Sequence, residues 1–198
     1  GIGHLKRAAR IAAGCAEAGL DTVVASGGLP VPGLDLGRAR LEQLPAARTA
    51  DPAFSGLLDA DGRPVDADWK ARRRDATLAL VARERPRVLV LELFPFGRRS
   101  LRFELLPLLE TVSRQSPRPW IVVSVRDLLN PPEADKARWA VETAGRYADR
   151  ILVHGDPVVA RLEETIPQAQ QLAGRVVYTG YVAEPVPMDV SDSGEVLV

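Results

Sequence analysis

Arg87-Val88-Leu89-Val90-Leu91-Glu92-Leu93 is the stretch on which the fold turns. It is apolar at nearly every position, rich in Val and Leu, and closed by Phe94-Pro95. A strand with one wet face alternates apolar and polar residues. A strand buried on both faces does not, and that pattern marks the centre of a parallel sheet. Glu92 is the one charged residue between Val88 and Leu93.

Toward the C-terminus three more short apolar runs follow: Trp120 to Val125, Arg150 to His154, and Arg175 to Thr179. Between them the spacing predicts helices from Leu101 to about Arg114, from about Glu133 to Tyr147, and from Gly155-Asp156-Pro157 to about Ile166. Pro107 is expected to kink the first of these or shift its start. Toward the N-terminus, a helix is predicted from Asp66 or Asp68, either of which could cap it, to Arg85, with Pro86 closing it. Arg72-Arg73-Arg74 on that helix reads as a solvated face. The stretch from Leu29 to about Ala67 is irregular, with one strand from Ala39 to Leu44 and a turn at Asp59-Ala60-Asp61-Gly62. Asp21 to Ser26 reads as a β-branched strand ended by Gly27-Gly28. Leu5 to Gly19 reads as a helix with Cys15 on its apolar side, a small core residue. Strand and helix alternate throughout. The expected fold is therefore α/β, a doubly wound Rossmann-like parallel sheet covered on both faces.

Composition narrows the function. The chain has 198 residues, zero formal net charge and pI about 7.0, which does not suggest a nucleic-acid binder driven by bulk charge. Lys6, Lys70 and Lys136 are the only lysines, so the positive charge is almost all arginine, suited to phosphates and carboxylates. No apolar run reaches the ~18 residues of a membrane span, and no signal peptide is visible, so a cytoplasmic protein is expected. Two distant histidines and one cysteine make no zinc site. There is no Walker loop and no nucleophile elbow. The first residue already lies in a turn that ought to follow a strand, and Glu195 to Val198 reads as a strand that stops. The expectation is an excerpt of a longer chain.

In a parallel α/β sheet, ligands bind past the C-terminal ends of the strands. There lie Gly1 to His4, Ser26-Gly27-Gly28, Glu92 with Phe94 to Arg99, Ser124 with Arg126-Asp127, His154-Gly155-Asp156, and Gly180-Tyr181. Both histidines fall at that edge. Gly1 and Gly3 lead into a helix start that offers unpaired N–H groups to an anion, with Arg7 one turn beyond His4. Bland readings stand beside the functional ones. Glu92 can be a paired buried carboxylate or a substrate contact, and Asp127 can simply pair with Arg126. His154 can be a satisfied core histidine, and Asp156-Pro157 a helix cap. Phe94 and Phe96 can anchor their loop on the core, or form an acceptor or membrane-touching patch with Arg98, Arg99 and Arg102.

Six motifs together resemble a bacterial family of predicted glycosyltransferases related to the MurG-type enzymes. They are G-x-G-H-x-x-R at Gly1 to Arg7, S-G-G-L-P at Ser26 to Pro30, E-x-F-P-F-G-R-R at Glu92 to Arg99, S-V-R-D at Ser124 to Asp127, H-G-D-P at His154 to Pro157, and T-G-Y-V at Thr179 to Val182. The resemblance implies the N-terminal half of a two-domain GT-B fold whose first strand and most of whose C-terminal domain are absent. Residues 1–183 would be the acceptor-side domain, 184–194 the interdomain linker, and 195–198 the start of the donor domain. The implied activity is metal-independent hexosyl transfer from a nucleotide sugar to a sugar or lipid-linked acceptor. No cofactor and no nucleic acid enters, and the donor is held mainly by the second domain, so the excerpt alone would be inactive. His4 would be catalytic. Gly1, Gly3, Arg7, Gly27, Gly28, Glu92, Arg126, Asp127, His154 and Asp156 would bind substrate. Peripheral contact with the inner face of the membrane through Phe94 to Phe103 is a further implied role. The same G-x-G-H-x-x-R also resembles nucleotide-sugar hydrolases of the PseG type. A non-catalytic sugar- or nucleotide-binding domain is the third reading.

Overall fold

A computed structural model of the chain describes residues 2–50 and 56–183. Its centre is a four-stranded parallel sheet in the order β5-β6-β7-β8, built from Val88–Glu92, Trp120–Arg126, Arg150–His154 and Val176–Tyr178. Helices α3 (Arg102–Ser113) and α4 (Ala134–Tyr147) join successive strands, and the short α5 (Leu162–Thr165) follows β7. The described residues are thus α/β and Rossmann-like. Leu91 pairs with Val123 and Val123 with Ile151 across the sheet, so odd-numbered residues of β5, β6 and β7 share one face, with Val176 and Tyr178 of β8. That face is the core. Leu91 and Ile121 pack on Val81, Leu108, Leu109 and Val112, while Val123, Val125, Ile151 and Val153 pack on α4 and on Leu162 and Ile166.

The opposite face departs from the doubly wound expectation. Val88, Val90, Trp120 and Val177 lie on it and are 52%, 47%, 53% and 42% exposed. A continuous apolar run predicts burial on both faces. The described helices bury only one face fully, and the other is covered only near its C-terminal end.

The single expected sheet is also divided. β1 (Val23–Ser26) and β2 (Arg40–Gln43) form their own parallel pair, with no ladder to β5. The stretch read as irregular adds a hairpin of β3 (Arg48–Thr49) and β4 (Leu57–Leu58), too short to leave a periodic signal. Its turn is as expected. The Asp59 carboxylate accepts from the backbone N–H of Asp61 and Arg63, both at 2.9 Å, and Gly62 takes φ 84°.

Helix α1 spans Ile2–Glu17, so Gly3 and His4 sit inside a helix rather than in a turn before it. Its Ala9, Ala12 and Ala16 are buried and Cys15 is partly so. Helix α2 spans Ala67–Glu84, capped as expected by Asp66, which accepts from Trp69 N at 2.7 Å. Helix α3 runs through Pro107 without stopping. The helix expected from Gly155 to Ile166 is not formed. A turn at 157–159 precedes α5, and a 3-10 segment takes Pro167–Arg175. Pro167 disfavours helical geometry at Ile166, and Val158 and Val159 stand 91% and 68% exposed with no apolar surface to bury.

Arg73 corrects the reading of a solvated arginine run. It is 2% exposed and grips Glu104, itself 1% exposed, through Nε to Oε2 at 2.8 Å and Nη2 to Oε1 at 3.1 Å. The Thr77 hydroxyl lies 2.8 Å from the same carboxylate. The remaining nitrogen, Nη1, donates to the Gly27 carbonyl at 3.1 Å and to the Pro45 carbonyl. One guanidinium thus ties α2 and α3 to the ends of β1 and β2. Arg40 to Glu84 at 2.8 Å and Arg83 to Glu42 at 2.7 Å reinforce the tie at the surface. Removing one partner of a buried pair strands the other charge. Glu104→Ala is therefore expected to cost about 3–5 kcal/mol in urea unfolding, far more than the ~0–1 kcal/mol expected of Glu42→Ala at the surface.

Candidate functional site

Four strand ends converge on one polar network. Glu92 closes β5, Ser124 lies near the end of β6, His154 closes β7, and Thr179 follows β8. Glu92 pairs in register with Ser124, and Arg126 with His154. Glu92, Ser124 and His154 share the even parity of the exposed sheet face, so their side chains rise on the same side. Helix α1 supplies the rest. His4 and Arg7, one turn apart, both reach Glu92.

Glu92 is the hub. Oε1 lies 2.9 Å from His4 Nδ1 and accepts from Arg7 Nη2, and Oε2 accepts from the Ser124 hydroxyl at 2.7 Å. Burial raises the carboxyl's pKa. Hydrogen bonds from His4, Ser124 and Arg7, with the charge of Arg7, outweigh it and hold the group below the ordinary range. The carboxylate is ionised at neutral pH. An ionised acceptor at 2.9 Å requires a proton on His4 Nδ1, so the 3.2 Å approach of Arg7 Nη2 to that nitrogen brings together two donors to one carboxylate. The lone pair of neutral His4 is then on Nε2, to which no described residue donates. The His4 side chain is 26% exposed, against 14% for Glu92.

On the other side the chain of donors is fully assigned. Ser124 gives its proton to Glu92 and accepts from His154 Nε2 at 2.9 Å. His154 Nδ1 then accepts from the Thr179 hydroxyl at 2.7 Å. Ser124 is 1% and His154 5% exposed. Burial drives the His154 pKa down, Arg7 adds to the shift, and Glu92 only partly opposes it. His154 is therefore a neutral, oriented link and no solvent-facing base.

The loop leaving Glu92 is strained at both ends. Leu93 takes φ 69° and Arg98 φ 53°, left-handed geometry that side chains other than glycine seldom adopt. Leu93 N donates to the Ser124 carbonyl at 2.7 Å, and Gly97 N to the Leu93 carbonyl at 2.9 Å. A Cβ on Gly97 would run 2.6 Å from the Leu93 side chain, so the turn requires glycine. Phe94, fully buried, anchors the loop in the core, and Phe96 is 6% exposed. Burial lowers the pKa of Arg98, Glu92 pulls it back up, and Arg7 adds to the lowering, so this guanidinium senses the same network.

The other expected site residues divide. Gly1 lies outside the described residues. Nothing within 4 Å would meet a Cβ at Gly3 or Gly28, so the fold alone does not demand glycine there. Gly27 is packed under the Arg73 guanidinium and is a structural glycine. Arg126 is exposed and turns back to the Leu128 carbonyl, away from any pairing with Asp127. Asp127 packs against Gly155 beside His154, and its carboxylate has no hydrogen-bond partner among the described residues. Asp156 accepts from Val158 N at 2.8 Å and holds a turn, in place of the expected helix cap. Sequence reasoning placed Ser124 at the edge without a role and quoted Thr179 only within a motif. The shared parity of Glu92, Ser124 and His154 was the signal that could have joined them. Set beside family profiles, curated proteins and solved structures, the chain matches none of them.

His154 and Glu92 carry the same sign of pH dependence. Folded His154 binds a proton less readily than the unfolded imidazole with its ordinary value of 6.5, so acid favours the unfolded chain from about that pH downward. Glu92, held below 4.5 in the fold, extends the loss at lower pH. Thermal unfolding midpoints are expected to fall steadily from about pH 7 to pH 5. His154→Gln is expected to flatten that decline even where it lowers stability at pH 7.

Proposed function

We propose that the chain is the acceptor-side domain of a nucleotide-sugar glycosyltransferase, with His4 as the general base. The observation that carries this reading is the His4 Nδ1 to Glu92 Oε1 bond of 2.9 Å, with Nε2 left free of described partners at the C-terminal edge of a parallel sheet. A carboxylate on one ring nitrogen fixes the tautomer, orients the ring and stabilises the imidazolium formed when the other nitrogen takes a proton. In transfer, Nε2 would accept the proton of an acceptor hydroxyl as its oxygen bonds to the anomeric carbon. The bond from that carbon to the diphosphate oxygen breaks, and the nucleoside diphosphate leaves with the bonding pair. Arg7 and Arg98 lie near enough to Glu92 to act on it electrostatically and are the cations best placed to face developing negative charge. The donor would be held mainly by a second Rossmann-like domain, as the motif resemblance implies. Asp127, beside His154 and without a hydrogen-bond partner among the described residues, is the candidate for binding acceptor hydroxyls.

The test uses the natural full-length protein. Nucleotide sugars are screened for thermal stabilisation, and the best binder is followed for nucleotide release with and without acceptors. His4→Ala is expected to lower acceptor-dependent turnover by about 10²–10⁴-fold. Glu92→Gln should also lower kcat, with little change in donor KM. Wild-type turnover in His4→Ala would remove His4 from the chemistry. Release equally fast without acceptor would make water the acceptor and the protein a hydrolase. No stabilisation by any nucleotide sugar would leave a binding domain.

A further inference from the structure

A cavity of about 670 Å³ lies beyond the strained loop, between α2, α3, α4 and the β3–β4 hairpin. It is separate from the Glu92 network, which it adjoins through Arg98 and Arg99. Among the described residues its wall carries Lys70, Arg99, Arg102 and Lys136 against the single carboxylate of Asp135, four cations to one anion. Lys136 is engaged with Glu133 at 2.8 Å, and Asp135 lies 3.3 Å from Arg138. Lys70, Arg99 and Arg102 have no hydrogen bond or ion pair through their side chains among the described residues. Arg99 goes further: its Nη1 is buried without an acceptor among the described residues. A buried guanidinium N–H without an acceptor loses its hydration and gains nothing in return. An anionic ligand oxygen would supply the missing acceptor. Trp139 forms another part of the wall, held edge-on to the buried Phe94 with ring centroids 5.9 Å apart. Its indole is thus a rigid apolar surface beside the cations.

We propose that this cavity binds a phosphate or diphosphate group, with an apolar or ring portion of the same molecule against Trp139. The charge decides the class. Lys70, Arg99 and Arg102, without a hydrogen bond or ion pair among the described residues though Arg99 acts electrostatically on Glu133, exceed what one carboxylate ligand would neutralise, and guanidinium forks match phosphoryl oxygens. This site is distinct from His4 and Glu92, and the inference stands whether or not the protein transfers sugars.

The probe is inorganic pyrophosphate, titrated calorimetrically into the full-length protein at low salt and again at high salt. Saturable, salt-sensitive binding is expected, weakened about tenfold or more by Arg99→Gln and by Arg102→Gln. Lys70→Gln, at an exposed position, provides a variant whose folding is not in question and should also weaken binding. Vesicles containing phosphatidic acid, compared with phosphatidylcholine alone, separate the sources. Sedimentation with the acidic vesicles that pyrophosphate competes away assigns a lipid headgroup. Pyrophosphate binding without vesicle capture assigns a soluble phosphate ester. No binding of either probe, or pyrophosphate binding unchanged in all three variants, overturns the proposal.

Discussion

An ionised carboxylate at the end of a parallel strand has to be compensated, and the structure around the sheet edge follows from how Glu92 achieves it. Burial alone would raise its pKa. Three donors from two different elements keep it charged: Arg7 and His4 from α1, and Ser124 from β6. The same bonds set the placement of α1 over the sheet edge, direct the Ser124 hydroxyl, and through it select the His154 tautomer. A single charge therefore orders four strand ends and one helix. It does so while leaving His4 Nε2 without a partner among the described residues.

The Arg73–Glu104 pair is the instructive contrast. It too joins a guanidinium and a carboxylate across elements, but both members are almost wholly buried and every described partner is a protein group. Such a pair offers no reactive atom. Its role is positional: it holds the β1–β2 layer against α2 and α3, and it explains why Gly27 must lack a side chain. Burying charge is costly, and the cost is offset only where geometry is good and the remaining donors are satisfied. Arg73 meets that condition, whereas Arg99 leaves a buried nitrogen without an acceptor among the described residues.

Much of the fold was legible because it rests on local patterns. The apolar runs from Val88, Trp120 and Arg150 became β5, β6 and β7, and Asp66 caps α2 as its position before the helical run implied. Failures came where the deciding factor was remote or too short to be periodic. The hairpin of β3 and β4 has two residues on each side. The segment after His154 bends at 157–159, where Val158 and Val159 find no surface to cover. Arg73 sits between two other arginines, and only the arrival of α3 with Glu104 makes its face the buried one.

The candidate site divides along the same line. The sequence by itself determined that Glu92, His154 and the glycine-flanked turns fall at the C-terminal ends of strands, since strand and helix alternate in chain order and strand polarity follows. It also determined that His4 and Arg7 share a helix face. Only the tertiary structure decided which of these groups meet. It brought Glu92, separated by 88 residues from His4, to 2.9 Å, made Ser124 and Thr179 members of the network, and left Arg126 and Asp156 outside it. The reason is physical: periodicity assigns a residue to a face, but a hydrogen bond depends on register between strands and on how a helix docks, and both are set by contacts distant in the chain.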